Sequence, residues 1–574
     1  MHDRLTRRDV VRLTAASALV VTAACSPAAP PSAGRGSGTA AAGGSSTSRA
    51  NPFPTYMPVV NGPRPDFHLD DPRFDDGFNS YPSNPIKAVA ETPGAGSTIN
   101  ILNRAYFPPP TPYDQNPTWQ EVNRQLGANL TINVVAGADY QTKFVTTMAG
   151  DDLPDVMHIY NGYALAPNLQ QFFKSKCADL TPYLAGDAAR DYPYLASIPT
   201  YSWKNSVSAI DGALYLIPIH RHLPTFPSFG GYFMVNTDIW NSEIGEGVVP
   251  QDAADFKRIL SALTRPRENR YGVGNAATAG VASENGPFGL STYAAMFGAP
   301  NNWKLDASGK LIRNRETPEY KAAVDFVRDL MTSGVFPPDV GTMTGSTSRP
   351  LHAQGRFVVS VDGYGNSWVD LLQRGRQFNN RFHMLPMFAA TAGGKPQAFL
   401  SHGYISMNVL KKTTPDRIKE ILRIMNFLAA PFGSQEDLLL TYGLEGHDFT
   451  RDANGNPQPT QEGLSRSSYV PWRYIAQHPW VNYQADLPGY PKLAFDAEQM
   501  IMPLGVADPT DGYFSATAWG KGQTADARFQ DGVIDIILSR RPMSDYDDLV
   551  KAWQTEAGDT VRKEFLDSMA AARA

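Results

Sequence analysis

The side chains best equipped for chemistry sit in short polar and aromatic runs placed directly after apolar, strand-like stretches. Leu214-Tyr215-Leu216-Ile217-Pro218 leads into Ile219-His220-Arg221-His222, where a planar guanidinium can clamp a carboxylate through two parallel hydrogen bonds. Arg221 can equally pair with a local acid, with His220 and His222 in structural roles. Phe357-Val358-Val359-Ser360-Val361 opens into Asp362-Gly363-Tyr364-Gly365-Asn366-Ser367-Trp368, whose glycines permit a tight loop displaying Tyr364 and Trp368. Val156 to Tyr160 continues into Asn161-Gly162-Tyr163, and Tyr404 follows Ser401-His402-Gly403. Trp203, Trp472 with Arg473, and Trp519 stand in loop-like or helix-start contexts. Aromatic faces beside fixed polar groups suit ligands that combine apolar C–H faces with many hydroxyls, as saccharide rings do. Each of these rings can also pack between helices.

Bond-breaking chemistry has weaker support. A glycoside hydrolase needs two carboxylates across the scissile bond. The chain has 56 acids, but Asp151-Asp152 lies in a turn, Glu445 lies in Tyr442-Gly443-Leu444-Glu445-Gly446, and neither a nucleophile elbow nor a phosphate-binding loop is present. Asp452, Asn454 and Asn456 begin with calcium-loop spacing. However, Pro457 stands where such a loop needs glycine, and Glu462 arrives one residue early, so a hairpin turn is expected. The histidines show no zinc-binding spacing. No metal, cofactor or enzymatic activity is expected, and the net charge of −5 argues against a nucleic-acid partner.

Several segments frame these residues. Thr6-Arg7-Arg8-Asp9-Val10-Val11-Arg12 resembles a twin-arginine export signal. Val21-Thr22-Ala23-Ala24-Cys25 resembles a lipobox, with Thr22 in place of the usual leucine, so residues 1–25 read as a signal peptide ending at a lipidated Cys25. The apolar run there is shorter than the roughly 20 residues that span a bilayer. Acylation of Cys25 leaves Cys177 without a disulfide partner. Residues 26–94 read as a flexible tether, rich in Ala, Gly and Ser, followed by an irregular Pro- and Asp-rich segment. Its first part, about 25 residues long, would reach roughly 25 to 30 Å as a coil.

Strands and helices then alternate. Ile99-Asn100-Ile101-Leu102 and Leu130 to Val135 read as strands around a helix near Trp119 to Leu126, a βαβ unit that implies a parallel sheet. Thr317-Pro318-Glu319-Tyr320 reads as a helix start with Tyr320, Ala323, Val327 and Leu330 on one face, and Pro415 to Leu428 carries a similar apolar stripe.

Four passages resemble the family 1 extracellular solute-binding proteins, especially the large members linked to oligosaccharide and aldouronate uptake. They are Asn116 to Val156, Asp211 to Pro218 with Tyr232 to Trp240, Gly433 to Glu462, and Tyr513 to Leu566. The resemblance implies an α/β, two-lobed, periplasmic-binding-protein-like fold of type II, with lobes joined by crossover strands. The expected division is 95–220 plus about 350–410 for lobe 1 and 221–349 plus about 411–574 for lobe 2. It also implies an oligosaccharide ligand, uronate-containing ones included, membrane permease subunits as partners, attachment to the membrane through the lipid, an extracytoplasmic location, and a monomer. A carbohydrate-active enzyme and a surface adhesion or scaffold lipoprotein are the rival classes.

Overall fold

Nine strands make up the two larger sheets among the described residues, which in this computed structural model are 51–59, 62–160, 166, 168–224, 231–274 and 288–573. They are β1 Thr98–Arg104, β2 Asn129–Val135, β3 Val156–Tyr160, β4 Leu216–His220, β5 Tyr232–Asn236, β6 Tyr271–Val273, β7 Phe357–Asp362, β8 Phe382–Met384 and β9 Tyr404–Leu410. Cys25 and most of the expected tether lie outside the described residues.

The first sheet has the order β2-β1-β3-β9-β4. β1 pairs in parallel with β2 and β3, while β9 runs antiparallel between β3 and β4. Helix α1, Pro117–Leu126, connects β1 to β2. Asn116 caps it by accepting the amide of Trp119, and Pro117 occupies the first turn, where no intrahelical donor is needed. Gly127 closes the helix at φ 60°, a left-handed conformation that glycine adopts without strain. Trp119, Val122 and Leu126 of α1 pack with Ile99, Ile101 and Leu130 in the core on one face of the sheet. Tyr140, Phe144 and Met148 from helix α2, Gly137–Ala149, cover the other face.

The second sheet, β8-β5-β7-β6, repeats the arrangement. β5, the strand that enters from the first lobe, runs antiparallel between β7 and β8, and β6 is parallel to β7. Both sheets therefore place a strand arriving from the other lobe antiparallel to its neighbours, which is the type II pattern. Helix α3, Pro318–Thr332, packs its Tyr320, Ala323, Val327 and Leu330 into the core of this lobe.

The division between lobes differs from the expected one. Residues 357–384, expected in lobe 1, pair with β5 in the second sheet. Helix α4, Pro415–Leu428, expected in lobe 2, buries Ile418, Ile421, Leu422 and Met425 against Ile99, Val122 and Ile217. The second passage between lobes thus falls near 400–403, not near 350, and a third lies near 477–489. An apolar strand or an amphipathic stripe specifies burial, but not which of two sheets supplies the partner.

The irregular segment before β1 is a strap across both lobes. Asp76–Gly77 pairs in parallel with Val481–Asn482. Phe78 and Tyr81 pack on Phe432 at 4.5 and 5.1 Å between ring centroids. Beyond such short backbone pairings, the strap satisfies further amides through carboxylates: Glu436 accepts from Ala88 and Val89, Glu420 from Ala95, and Glu498 from Asp75. The Tyr81 hydroxyl donates to Asp437 at 2.7 Å. Burial would raise Asp437, but Arg473, His478 and Tyr81 hold it well below the ordinary carboxylate range.

At the second passage His402 bonds Asp511. Burial opposes charge on this imidazole, yet Asp511 lifts it from 6.5 to about 9. Tyr81→Ala, which empties a buried aromatic site, should cost about 3 to 5 kcal/mol in denaturant unfolding, whereas Tyr81→Phe should cost about 1 kcal/mol; equal losses would contradict the packing role. The contribution of His402 is fully present below pH 6.5 and is lost as pH rises through about 9. The melting-temperature gap between the wild-type protein and His402→Gln should therefore shrink over that range, and a constant gap would count against the pairing.

Candidate ligand site at the carboxyl edge of the first sheet

In a doubly wound sheet the loops leaving the carboxyl ends of parallel strands share one edge. Here β1 ends at Arg104 and continues to Tyr106, β3 ends at Tyr160, and β4 ends at His220, followed by Arg221. Across that edge returns the stretch 472–480, held by one polar side chain from each of three neighbouring strands. Asn408 of β9 donates its amide to the carbonyls of Tyr474 and Ile475 at 2.9 and 3.0 Å. His158 of β3 donates through Nδ1 to the Tyr474 carbonyl at 3.1 Å, and Asn103 of β1 reaches the same oxygen at 3.4 Å. Burial pushes His158 down to about 3, so the ring is neutral. With Nδ1 donating, Nε2 is free to accept the hydroxyl of Tyr106 at 2.9 Å, which orients that ring.

The result is a ladder of aromatic rings and guanidinium groups. Tyr106 stacks on Tyr474 with centroids 3.7 Å apart and planes 6° from parallel. Arg104 lies 4.7 Å over Tyr106 and 4.9 Å over Tyr160. Arg221 lies 5.7 Å from the centroid of Tyr474 and 5.2 Å from that of Trp480. Beyond them Phe107, 47% exposed, stacks on Tyr469 at 5.9 Å.

Arg221 is buried, and its Nη1 donates to the His220 carbonyl at 2.7 Å and to Gln477 at 2.8 Å. Burial lowers it from the ordinary arginine value, but a guanidinium stays protonated in proteins. Among the described residues no carboxylate lies within 4.0 Å of Arg104 or Arg221. Other partly buried arginines are paired: Arg349 with Asp362, Arg417 with Asp155 and Glu420, and Arg473 with Asp437. The two cations of the ladder thus retain donors for an outside anion.

Of the residues singled out from sequence, Tyr160 and Arg221 belong to this ladder. Trp203, Tyr364, Trp368 and Trp472 are fully buried in the lobe cores. Asp362 is enclosed by a bidentate contact with Arg349 at 2.8 and 2.9 Å, and Arg473 serves Asp437. His220 lies beneath the edge: its Nδ1 accepts the Trp480 amide at 3.0 Å, leaving Nε2 to donate to Tyr201 at 2.7 Å. His222 bonds Asp75 at 2.6 Å in a buried cluster. Trp519, from the second lobe, packs against the first-lobe cluster that contains Leu102, Tyr215 and Tyr404. Tyr163 lies outside the described residues.

Arg104, Tyr106, Gln477, Tyr474 and Trp480 were not anticipated. Arg104-Ala105-Tyr106 follows an apolar strand just as Tyr160 does, so the same strand-end rule could have found it. The part played by the stretch 474–480 depends on its return across the sheet, which local sequence does not encode. Nearby, a cavity of about 290 Å³ has Asn205 and Tyr404 from the first lobe and Arg313, Asp508 and Tyr513 from the second in its lining. Burial and the neighbouring Asp511 raise Asp508 to about 6.

Comparison with known proteins identifies the family. The family model described as bacterial extracellular solute-binding protein matches residues 120–444. The lipoprotein LipO of Bacillus subtilis is 23% identical, covering 82% of this chain and 92% of its own. YtcQ of the same organism, a polygalacturonan/rhamnogalacturonan-binding protein, is 22% identical over 79% of this chain and 88% of its own. An extracellular solute-binding protein from Bifidobacterium longum subsp. infantis superposes with a TM-score of 0.60 at 13% identity, covering 84% of this chain and 99% of that one. With two type II lobes and a family match that reaches into both sheets, the chain belongs to the bacterial extracellular solute-binding proteins.

Proposed function

We propose that this protein is the substrate-capturing component of an ATP-driven importer and that its ligand is an acidic oligosaccharide carrying uronate groups. The observation that carries the reading is the pair of arginines, Arg104 and Arg221, mounted on stacked tyrosines without an acidic partner among the described residues. A guanidinium fork matches a carboxylate in shape and charge. The exposed face beside Phe107 and Tyr469 offers apolar ring surface for sugar C–H groups. The name of the relative YtcQ, which describes binding to polygalacturonan and rhamnogalacturonan, supports the same ligand class.

Capture proceeds by closure. Ligand bridging the edge of the first sheet and the facing second lobe favours the closed form in proportion to its extra contacts there, and permease subunits recognise that form. The neighbouring cavity, lined from both lobes, accommodates further sugar hydroxyls. Export through the twin-arginine-like signal, acylation at Cys25, membrane attachment and action as a monomer complete the reading. LipO, whose name marks it as a lipoprotein, supports the anchor.

Titration calorimetry with galacturonate oligomers and neutral galactose oligomers tests the assignment, with products checked for hydrolysis. Arg104→Gln and Arg221→Gln should each weaken uronate binding by about tenfold or more, the size of a lost charge-assisted contact of about 1.5 to 3 kcal/mol, while leaving any neutral-sugar binding within about twofold. Equal binding of both sugar series, or unchanged uronate affinity in both variants, would contradict the reading, and bond cleavage would return attention to a carbohydrate-active enzyme.

A further inference from the structure

A second polar centre lies away from the ladder, where the strap meets the passages between lobes. Asp75 belongs to the strap, His222 follows β4 on the first passage, and Glu498 lies on helix α5, Tyr490–Ile501, which packs in the second-lobe cluster with Tyr232 and Trp368. These side chains are 5%, 2% and 0% exposed, and one ligand atom from each lies within 4.8 Å of the others. We propose that Asp75, His222 and Glu498 form a binding site for a divalent cation of the zinc class.

Charge balance favours a cation here. Two carboxylates are buried side by side, and among the described residues neither has a lysine or arginine within 4.0 Å. Leaving such a pair ionised and uncompensated is costly. A dication held by two carboxylates and a neutral imidazole leaves the site with no net charge, and this mixed oxygen and nitrogen donor set is one that zinc accepts.

The surroundings give independent support, because donors other than the three side chains already fix their orientation. The Tyr364 hydroxyl donates to Glu498 Oε1 at 2.8 Å, Asn482 Nδ2 reaches the same oxygen at 3.2 Å, and the Asp75 amide donates to Oε2 at 2.9 Å. The His222 ring is held edge-to-face by Tyr364 at 4.7 Å and by Trp480 at 5.2 Å, so its Nδ1 meets Asp75 Oδ2 at 2.6 Å. Outer contacts of this kind orient metal ligands. Asn482 is fully buried, its Nδ2 faces Glu498, and among the described residues its Oδ1 has no hydrogen-bond partner. Asp75 also lines a cavity of about 300 Å³ together with His220, His478 and Trp480, giving a cation an approach.

Burial holds Asp75 and Glu498 above the ordinary carboxylate range and His222 at about 3. The imidazole is therefore neutral, as a ligand must be, and metal uptake would displace the protons that the carboxyls otherwise keep. The ligands stand 147 and 423 residues from Asp75 in the chain, which is why no spacing motif announces them.

Elemental analysis of the full chain purified without chelator should find about one zinc per molecule. Stripping that metal should lower the melting temperature by about 3 °C or more, and ZnCl2 alone should restore it; His222→Gln and Glu498→Gln should hold little metal and show no restoration. Zinc well below one per chain, with no melting shift on stripping and add-back, would overturn the proposal and leave a shared proton as the link. A zinc-dependent shift of equal size in His222→Gln would also overturn it, by placing the metal elsewhere. Should both variants fail to fold, the wild-type metal content and add-back experiment decide alone.

Discussion

The carbonyl oxygen of Tyr474 is the point on which the candidate ligand edge depends. Asn103, His158 and Asn408 come from three adjacent strands of the first sheet and meet at that one acceptor. Each strand commits a polar residue inside an otherwise apolar layer, a placement that is stable only when the group finds a partner. Because the contacts converge, the returning stretch 472–480 has little freedom over the sheet edge. Its rings then stand where the loops after β1 and β4 can meet them, and Tyr106 is locked in turn by the neutral His158.

That rigid frame supports two guanidiniums that no carboxylate among the described residues neutralises. Contacts with ring faces contribute about 0.5 to 2 kcal/mol each, less than burial of an unpaired charge costs. On the proposed reading, an incoming carboxylate would improve the condition of Arg104 and Arg221. Binding energy arises where fixed donors await an anion, with little reorganisation needed. The buried pairs of Arg349 with Asp362 and Arg473 with Asp437 show the opposite use of the same residue, holding structure with the charge already matched.

Sequence patterns revealed the elements more readily than their assembly. The cap of Thr317 and the stripe of Tyr320, Ala323, Val327 and Leu330 rest on contacts within a few residues, so they were legible. The assignment of Phe357–Asp362 to one lobe or the other rests on pairing with a strand more than a hundred positions away, so it was not. Tyr160 and Arg221 stand out as strand-end residues, and Arg104 obeys the same rule. Trp203, Trp368 and Trp472 show the limit of reading aromatics as ligand contacts: a large ring beside a glycine or at a helix start can turn inward, and the sheet behind it decides. The role of the strap was equally hidden, because Asp75, Glu420, Glu436 and Glu498 act through tertiary contacts alone.

If Arg104 and Arg221 hold ligand carboxylates, binding must depend on the ligand's charge. The most direct measurement is the affinity of the wild-type protein for one galacturonate oligomer compared with the same oligomer fully methyl-esterified, by titration calorimetry at fixed ionic strength. Esterification keeps the rings and hydroxyls but removes the charge, and should weaken binding by about a hundredfold, two charge-assisted contacts being lost together. Equal affinity for the two forms would contradict the charge-based reading, placing recognition in the sugar rings and leaving the arginines without a ligand role.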